Sequence, residues 1–352
     1  IGVIMDVVYN HTYSTADSPF TKTFPEYYYR HKKDGSLSDG SACGNEFASE
    51  RAMASRFIVD SLCYLAEEYK LDGFRFDLMG LLDIRTLNTA AEKLRRINPS
   101  IILYGEGWTG GASPLPERLR AMKKNAVMLP QFAMFSDDFR DWVKGSVFAD
   151  EDCGYVNGNA AELSELMKSV ISGGIYRSDV RREQSDCWTD TPQQAVNYVE
   201  AHDNLTLFDK LRISMPAASV DEQISVDKLA AALVFLSEGI PFMQAGQEIL
   251  RSKTAPDGGF VHDSYNSPDS VNSIKWNDVT IHRSVVEYYR GLIAIRKRFP
   301  EFRLRTAEDI RSQLKYEDLG GGALAVELAA SYPAAMLGGV LTGSMLGATV
   351  VF

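Results

Sequence analysis

Ser100–Trp108, read SIILYGEGW, decides how the rest of the chain is understood. An apolar run ends on Gly105, and the next residue is an acid followed by a second glycine. A run that short, β-branched and closed by glycine, reads as a buried strand. In a parallel sheet the loop that leaves such a strand is where the chemistry collects. What Glu106 does there depends on whether other strands end in the same way.

Five further short runs share this character: Gly2–Tyr9 (GVIMDVVY), Asp72–Met79 (DGFRFDLM), Asn125–Phe135 (NAVMLPQFAMF), Ala195–Ala201 (AVNYVEA) and Ile240–Gly246 (IPFMQAG). Gly, Pro or Asp lies within or close to each. Amphipathic helical stretches are expected from Ser49 to Tyr69, Ile84 to Ile97, Ala161 to Ile171, Val226 to Ser237 and Ser284 to Phe299. Alternating strand and helix implies a parallel sheet. No glycine-rich phosphate loop follows any strand, so a (β/α)8 TIM barrel that lacks its first two strands fits better than a doubly wound sheet. On this reading residues 1–302 are the catalytic barrel. Residues 303–352 are an incomplete C-terminal all-β domain, opened by LKYEDLGGGALAVEL (Leu314–Leu328).

The two ends are unusual. The chain opens on Ile1 inside a strand-like run with no signal segment, which is expected of a sequence that starts inside its barrel. After Glu327 there is no charged residue, and PAAMLGGVLTGSMLGATVVF (Pro333–Phe352) has the length of a bilayer span, with Gly339, Gly343 and Gly347 at the small-residue spacing of membrane helices. Damaged strands and turns of a β domain would show the same glycine content, and that is the preferred reading.

Composition narrows the function. The chain has 352 residues, 45% of them hydrophobic and 24% charged, which is ordinary for a globular protein with one large core. A net charge of -10 argues against nucleic acid or an anionic membrane surface as partner and leaves a neutral substrate open. Cys43, Cys63, Cys153 and Cys187 form no metal-binding spacing; free thiols are expected ahead of a Cys153–Cys187 bridge. The compartment stays open between cytoplasmic and secreted.

The strand ends are where charge gathers. Asp6, Asn10 and His11 close the first strand, Arg75 and Asp77 the second, Glu106 the third, and His202 and Asp203 the Ala195–Ala201 strand. In a barrel these ends converge on one face. Singly, Asp77 reads equally well as a helix cap and Asp203 as a turn residue. Together, Asp77, Glu106 and Asp203 with an arginine suit the breaking of an acetal, which needs a proton donor for the leaving oxygen and a carboxylate near the anomeric carbon. Arg75 lies on the same side of its strand as Asp77 and can hold it as an anion and nucleophile. Glu106, with Trp108 as an apolar neighbour, suits the acid, and Asp203 is free to bond sugar hydroxyls.

At this point the residues resemble a known family. DVVYNHT (Asp6–Thr12), DGFRFDLMG (Asp72–Gly80), YGEGW (Tyr104–Trp108) and YVEAHDN (Tyr198–Asn204) look like the four ordered regions of the α-amylase superfamily of glycoside hydrolases. FDLMG, GEGW and HDN resemble type I pullulanases in particular. So do SPFTKTFPEYYYR, CGNEFASER, DDFRDWVKGSVF, GIPFMQAGQEIL and NSPDSVNSIKWN, and the likeness runs from Ile1 to about Arg305. The resemblance implies a retaining debranching enzyme that cuts α-1,6-glucosidic bonds in pullulan, amylopectin and glycogen limit dextrins. It implies Asp77 as nucleophile, Glu106 as acid/base and Asp203 as transition-state stabiliser, with Asn10, His11, Arg75 and His202 around the cleaved sugar.

Trp108 is a candidate stacking residue, and Tyr265 and Asp269, in a polar loop after the last strand, are candidate glucan contacts. No cofactor is required; a structural calcium is a family option, but Asp137, Asp138 and Asp141 read better as a helix start. The upstream motif YNWGYDP of pullulanases would precede Ile1, so activity of this chain is an open expectation. The alternatives are an α-1,4-acting or dual-specificity amylopullulanase-like hydrolase and a noncatalytic glucan-binding remnant.

Overall fold

Asp6, Arg75 and Tyr104 sit side by side on three neighbouring strands, and that register builds everything that follows. The computed structural model describes residues 1–181, 183, 186–329 and 346–352, with only the backbone course for 346–351. The chain forms two compact units, Ile1–Phe135 and Ser136–Phe352.

In the first unit β1 (Ile4–Val7), β2 (Gly73–Phe76), β3 (Ile102–Gly105) and β4 (Ala133–Phe135) pair in parallel in that order. β2 is buried along its whole length, as expected of a strand covered on both faces. Phe74 and Phe76 point to one side, fully buried, so Arg75 and the following Asp77 take the other. Helix Ala52–Glu68 connects β1 to β2 and helix Ile84–Ile97 connects β2 to β3. In the second helix Ile84, Leu87, Ala91 and Leu94 recur at helical spacing on the buried face. Its N-cap Asp83 accepts a bond from the Thr86 amide at 3.0 Å.

The Asn125–Phe135 run is only partly a strand. Lys123–Met128 winds into a 3-10 helix, and the extended segment begins at Ala133, beyond Pro130, which has no amide hydrogen to donate to a ladder.

In the second unit β5 (Ala195–Asn197) and β6 (Ile240–Pro241) pair in parallel. Helices Leu207–Ser214 and Val220–Leu236 connect them. The latter starts six residues earlier than its apolar pattern suggests, because Ser219 and Glu222 form a capping box. β7 (Leu314–Gly320), β8 (Ala323–Ala329) and β9 (Leu346–Val351) form an antiparallel sheet in that order. Leu324, Val326 and Leu328 of β8 join Phe139, Met167, Leu233, Phe235, Tyr289 and Leu292 in one apolar cluster, so these strands share the core of the helices in this unit.

Of the apolar C-terminal stretch, Gly339 and Gly343 lie outside the described residues, and Leu346–Val351 is strand. No helix among the described residues is long and apolar enough to cross a membrane. Cys153 is a free thiol, as are Cys43 and Cys63, so the Cys153–Cys187 bridge is not formed.

Candidate active site

Alternation along β2 and the parallel register with β1 bring one guanidinium to three carboxylates. Arg75 Nη1 donates to Asp6 Oδ1 and to Asp77 Oδ1, both at 2.9 Å, and Nη2 donates to Glu106 Oε1. Arg75 and Glu106 are 7% and 6% exposed, whereas the Asp77 side chain stays 27% exposed and reachable by a substrate. Burial alone would depress the guanidinium. The charges of Glu106, Asp6 and Asp77 outweigh it and hold Arg75 above its ordinary value, so it is a permanent cation.

The second oxygen of each acid is also placed. Asn10, fully buried, donates from Nδ2 to Asp77 Oδ2 and to the Asp77 carbonyl, each at 2.8 Å. His11 Nδ1 lies 2.5 Å from Asn10 Oδ1, which joins the histidine to the same network. Glu106 Oε2 accepts the backbone amide of Leu78 at 2.8 Å. Leu78 presents that amide from a left-handed conformation, φ 36°, immediately after Asp77. A side chain rarely adopts it without a compensating role.

The glycine before Glu106 has a steric reason. A Cβ on Gly105 would lie 2.6 Å from the Phe76 carbonyl oxygen. The Phe76 carbonyl accepts the Glu106 amide at 3.0 Å, so the acid is anchored to β2 through both its backbone and its side chain. Phe135, at the end of β4, is the aromatic floor: its ring meets Tyr104 at 5.5 Å, Trp108 at 6.4 Å and the Arg75 guanidinium at 5.9 Å.

The structure thus joins Asn10, His11, Arg75, Asp77 and Glu106 in one network, with Trp108 packed at its aromatic floor. Sequence reasoning left out Asp6 as an Arg75 partner, the Leu78 amide and Phe135. The register of Asp6 with Arg75 was a usable signal for the first; a backbone donor leaves none.

The second unit carries the other candidates. His202 Nε2 and Asp203 Oδ2 stand 3.6 Å apart, both well exposed, in the turn after β5. Tyr265 is 86% exposed in the loop after β6, and Asp269 opens the short helix Asp269–Asn272. Trp276 is exposed and Trp188 buried, while Trp142 packs against the core. Asp137 and Asp138 fill the first turn of helix Asp137–Lys144, and Arg140 clamps both oxygens of Asp141 at 2.6 and 2.9 Å. That arrangement is a helix start.

No protein-family model matches the chain. The pullulanase of Bacillus subtilis (strain 168) is 41% identical over 315 residues, 90% of this chain and 42% of that protein. The crystal structure of the type I pullulanase of the same strain, complexed with maltose, matches with a TM-score of 0.88 at 40% identity over 94% of this chain and 44% of that one. The chain is similar to the type I pullulanases over nine-tenths of its own length. The pullulanase of Paenibacillus barengoltzii, complexed with maltohexaose and alpha-cyclodextrin, matches at TM-score 0.87 and 44% identity over 94% of this chain and 49% of that one. The chain therefore spans less than half the length of the pullulanases it matches.

Proposed function

We propose that this chain carries the catalytic groups of a retaining debranching glycosidase that hydrolyses α-1,6-glucosidic bonds in branched α-glucans such as pullulan, amylopectin and limit dextrins. The observation that carries the reading is the sharing of one guanidinium by Asp77 and Glu106. Two carboxylates gripped by a single Arg lie close together, which favours the spacing of roughly 5–5.5 Å used by retaining enzymes over the roughly 6.5–9.5 Å of inverting ones. The pullulanase relatives and the glucan ligands of their crystal structures support the substrate class.

In this mechanism Asp77, bonded by Arg75 and Asn10 and still open to solvent, attacks the anomeric carbon. Glu106, a carboxylate while it is paired with Arg75, takes up a proton as the glucan enters, gives it to the leaving oxygen, then takes one from the water that releases the glycosyl–Asp77 ester. For that, the glucan must displace the Arg75 or Leu78 contact on one Glu106 oxygen. Asp203 bonds the sugar hydroxyls more strongly as charge develops on the ring. Asn10, His11, Arg75 and His202 surround the cleaved sugar, Trp108 stacks beside it, and Tyr265 and Asp269 meet the outer chain. All acid, base and nucleophile roles fall to side chains, so no cofactor is needed. The six parallel strands and their helices are read as part of a (β/α)8 barrel lacking its first two strands, residues 1–302, followed by a β domain.

The test is release of reducing ends from pullulan by the chain, with amylose as an α-1,4-only control. Hydrolysis of pullulan with retention at the new anomeric centre, lowered at least about 100-fold in Asp77→Asn and in Glu106→Gln, is expected. Undiminished turnover in Asp77→Asn would refute the assignment, and equal rates on amylose would refute the linkage preference.

A further inference from the structure

Lys253 is among the most deeply buried long side chains of the chain, 1% exposed, and burial lowers its ammonium below the ordinary lysine value. An ammonium out of water must saturate its three N–H donors. Those of Lys253 do so on two loops. Nζ donates to the carbonyls of His202 at 3.5 Å and Asn204, and to the His262 carbonyl and Ser264 Oγ, each at 3.2 Å. Its own backbone amide donates to Asp209 Oδ2 at 2.8 Å, in the first turn of helix Leu207–Ser214. Lysine thus sits beneath the turn that presents His202 and Asp203 and beneath the loop that leads into Tyr265.

That turn needs holding. Asn204 has φ 62°, a left-handed conformation that a side-chain-bearing residue seldom adopts. Its carbonyl is one of those that Lys253 grips. At the far end Glu200, also buried, accepts the Leu207 amide at 2.8 Å and so fixes where the helix after the turn begins. The His202 and Asp203 side chains are more than half exposed, so their direction is set by the backbone under them.

We propose that Lys253 is a positioning residue for the reaction: its buried ammonium fixes the His202–Asn204 turn, and through it the direction of the Asp203 carboxylate, and ties the His262–Ser264 loop to that turn. This rests on the reading of Asp203 as the transition-state stabiliser. The chain contains its own comparison. Lys210 is likewise buried, and its Nζ donates to the carbonyls of Ser146, Ala149 and Asp150 at 3.1, 2.6 and 2.9 Å, none of which belongs to a residue assigned to the site. Both lysines anchor loops in the same way, but Lys253 anchors the loop on which Asp203 sits.

The experiment compares the parent chain with Lys253→Met, Lys253→Arg and Lys210→Met. Amide hydrogen exchange over residues 201–206 and 262–264 is followed alongside kcat and KM on pullulan. In Lys253→Met, exchange across 201–206 speeds up about tenfold or more. kcat falls about tenfold or more while KM stays within about threefold, and Lys253→Arg recovers part of the loss. Lys210→Met loosens residues 146–150 and keeps its kcat. Unchanged exchange over 201–206 in Lys253→Met, or a kcat loss matched by Lys210→Met, overturns the proposal. If the parent chain hydrolyses no pullulan, the debranching reading fails on that ground, and the exchange comparison alone still decides what Lys253 holds. Should Lys253→Met not fold, Lys253→Gln, which keeps N–H donors, carries the same exchange test.

Discussion

Removing the Arg75 guanidinium tests the central feature of the site. Arg75→Met keeps most of the methylene packing and deletes the three charge-assisted bonds. These bonds are unequal. The pair with Glu106 is buried on both sides, with side chains 8% and 9% exposed, whereas the Asp6 and Asp77 side chains are 48% and 27% exposed. Taking one partner from a buried pair costs about 3–5 kcal/mol, because the remaining charge loses its compensation. Solvated pairs contribute about 0–1 kcal/mol each. Arg75→Met is therefore expected to lose about 3–7 kcal/mol, most of it through Glu106, as measured by urea unfolding followed by tryptophan fluorescence. The cause is then separable. If the loss comes from the Glu106 charge, Arg75→Met/Glu106→Gln is more stable than Arg75→Met, with a coupling of about 2 kcal/mol or more in the double-mutant cycle. A loss below about 1 kcal/mol, or two losses that simply add, would refute the argument.

Two further perturbations probe the scaffold. Glu238 is buried, and burial first, with Asp309 adding to it, raises its carboxyl from 4.5 to about 8 against the opposing Leu304 amide and Arg296 charge. Because the folded value is raised, this contribution is fully present below pH 4.5 and is lost as the pH rises through about 8. At about 1.4 kcal/mol per pH unit it reaches at most about 4–5 kcal/mol. Urea titrations should show Glu238→Gln more stable than the parent at pH 8.5 and within about 1 kcal/mol of it at pH 5; parallel pH profiles would exclude burial of this carboxyl as the cause. Gly80→Ala would drive its Cβ into the Trp108 carbonyl oxygen, while the Gly80 amide donates to the Glu106 carbonyl at 3.0 Å. A loss of about 1–3 kcal/mol is expected, with a fall in pullulan turnover as Glu106 shifts; a melting temperature equal to the parent's would show that the close approach is not required.

Elements with strong periodicity were legible in the sequence. Helix Ile84–Ile97 is found with the bounds its apolar spacing predicts, and every expected parallel strand contains an observed one. Boundaries failed where local chemistry outweighs hydropathy. Helix Val220–Leu236 begins with the polar turn VDEQ, which carries no apolar stripe, and its start is marked by Ser219 and Glu222 instead. The 3-10 turn at Lys123–Met128 looks like a strand because Val127, Met128 and Leu129 are apolar in a row. In the candidate site, the pairing of Arg75 with Asp77 was legible because alternation puts both on one side of a buried strand. Which oxygen meets which donor was not. The Leu78 amide acts through backbone conformation, and Lys253 acts on carbonyls nearly fifty residues away in sequence.

The two units use different buried cations for different tasks. In the first, several carboxylates crowd the ends of β1, β2 and β3, and their mutual repulsion would open the strand ends unless a counter-charge lay among them. Arginine suits that task because its planar fork addresses separate acceptors at once and stays charged when buried. A lysine there would satisfy fewer acceptors in fixed directions. In the second, the acid is exposed and needs no counter-ion, but its turn is strained and turns its carbonyls inward. Lysine suits that task, since a compact ammonium with three rotatable donors can gather carbonyls from several directions where a rigid fork would not fit. The choice of cation thus follows from what must be held: side-chain charge in one case, backbone shape in the other. Arg75→Lys should therefore impair the first unit more than Lys253→Arg impairs the second, because the arginine serves three acceptors through one rigid fork while a compact ammonium depends less on direction. Comparing the two variants' unfolding free energies with their parent's decides it, and a larger loss in Lys253→Arg would mean that directional bonding matters more beneath the Asp203 turn than among the acids.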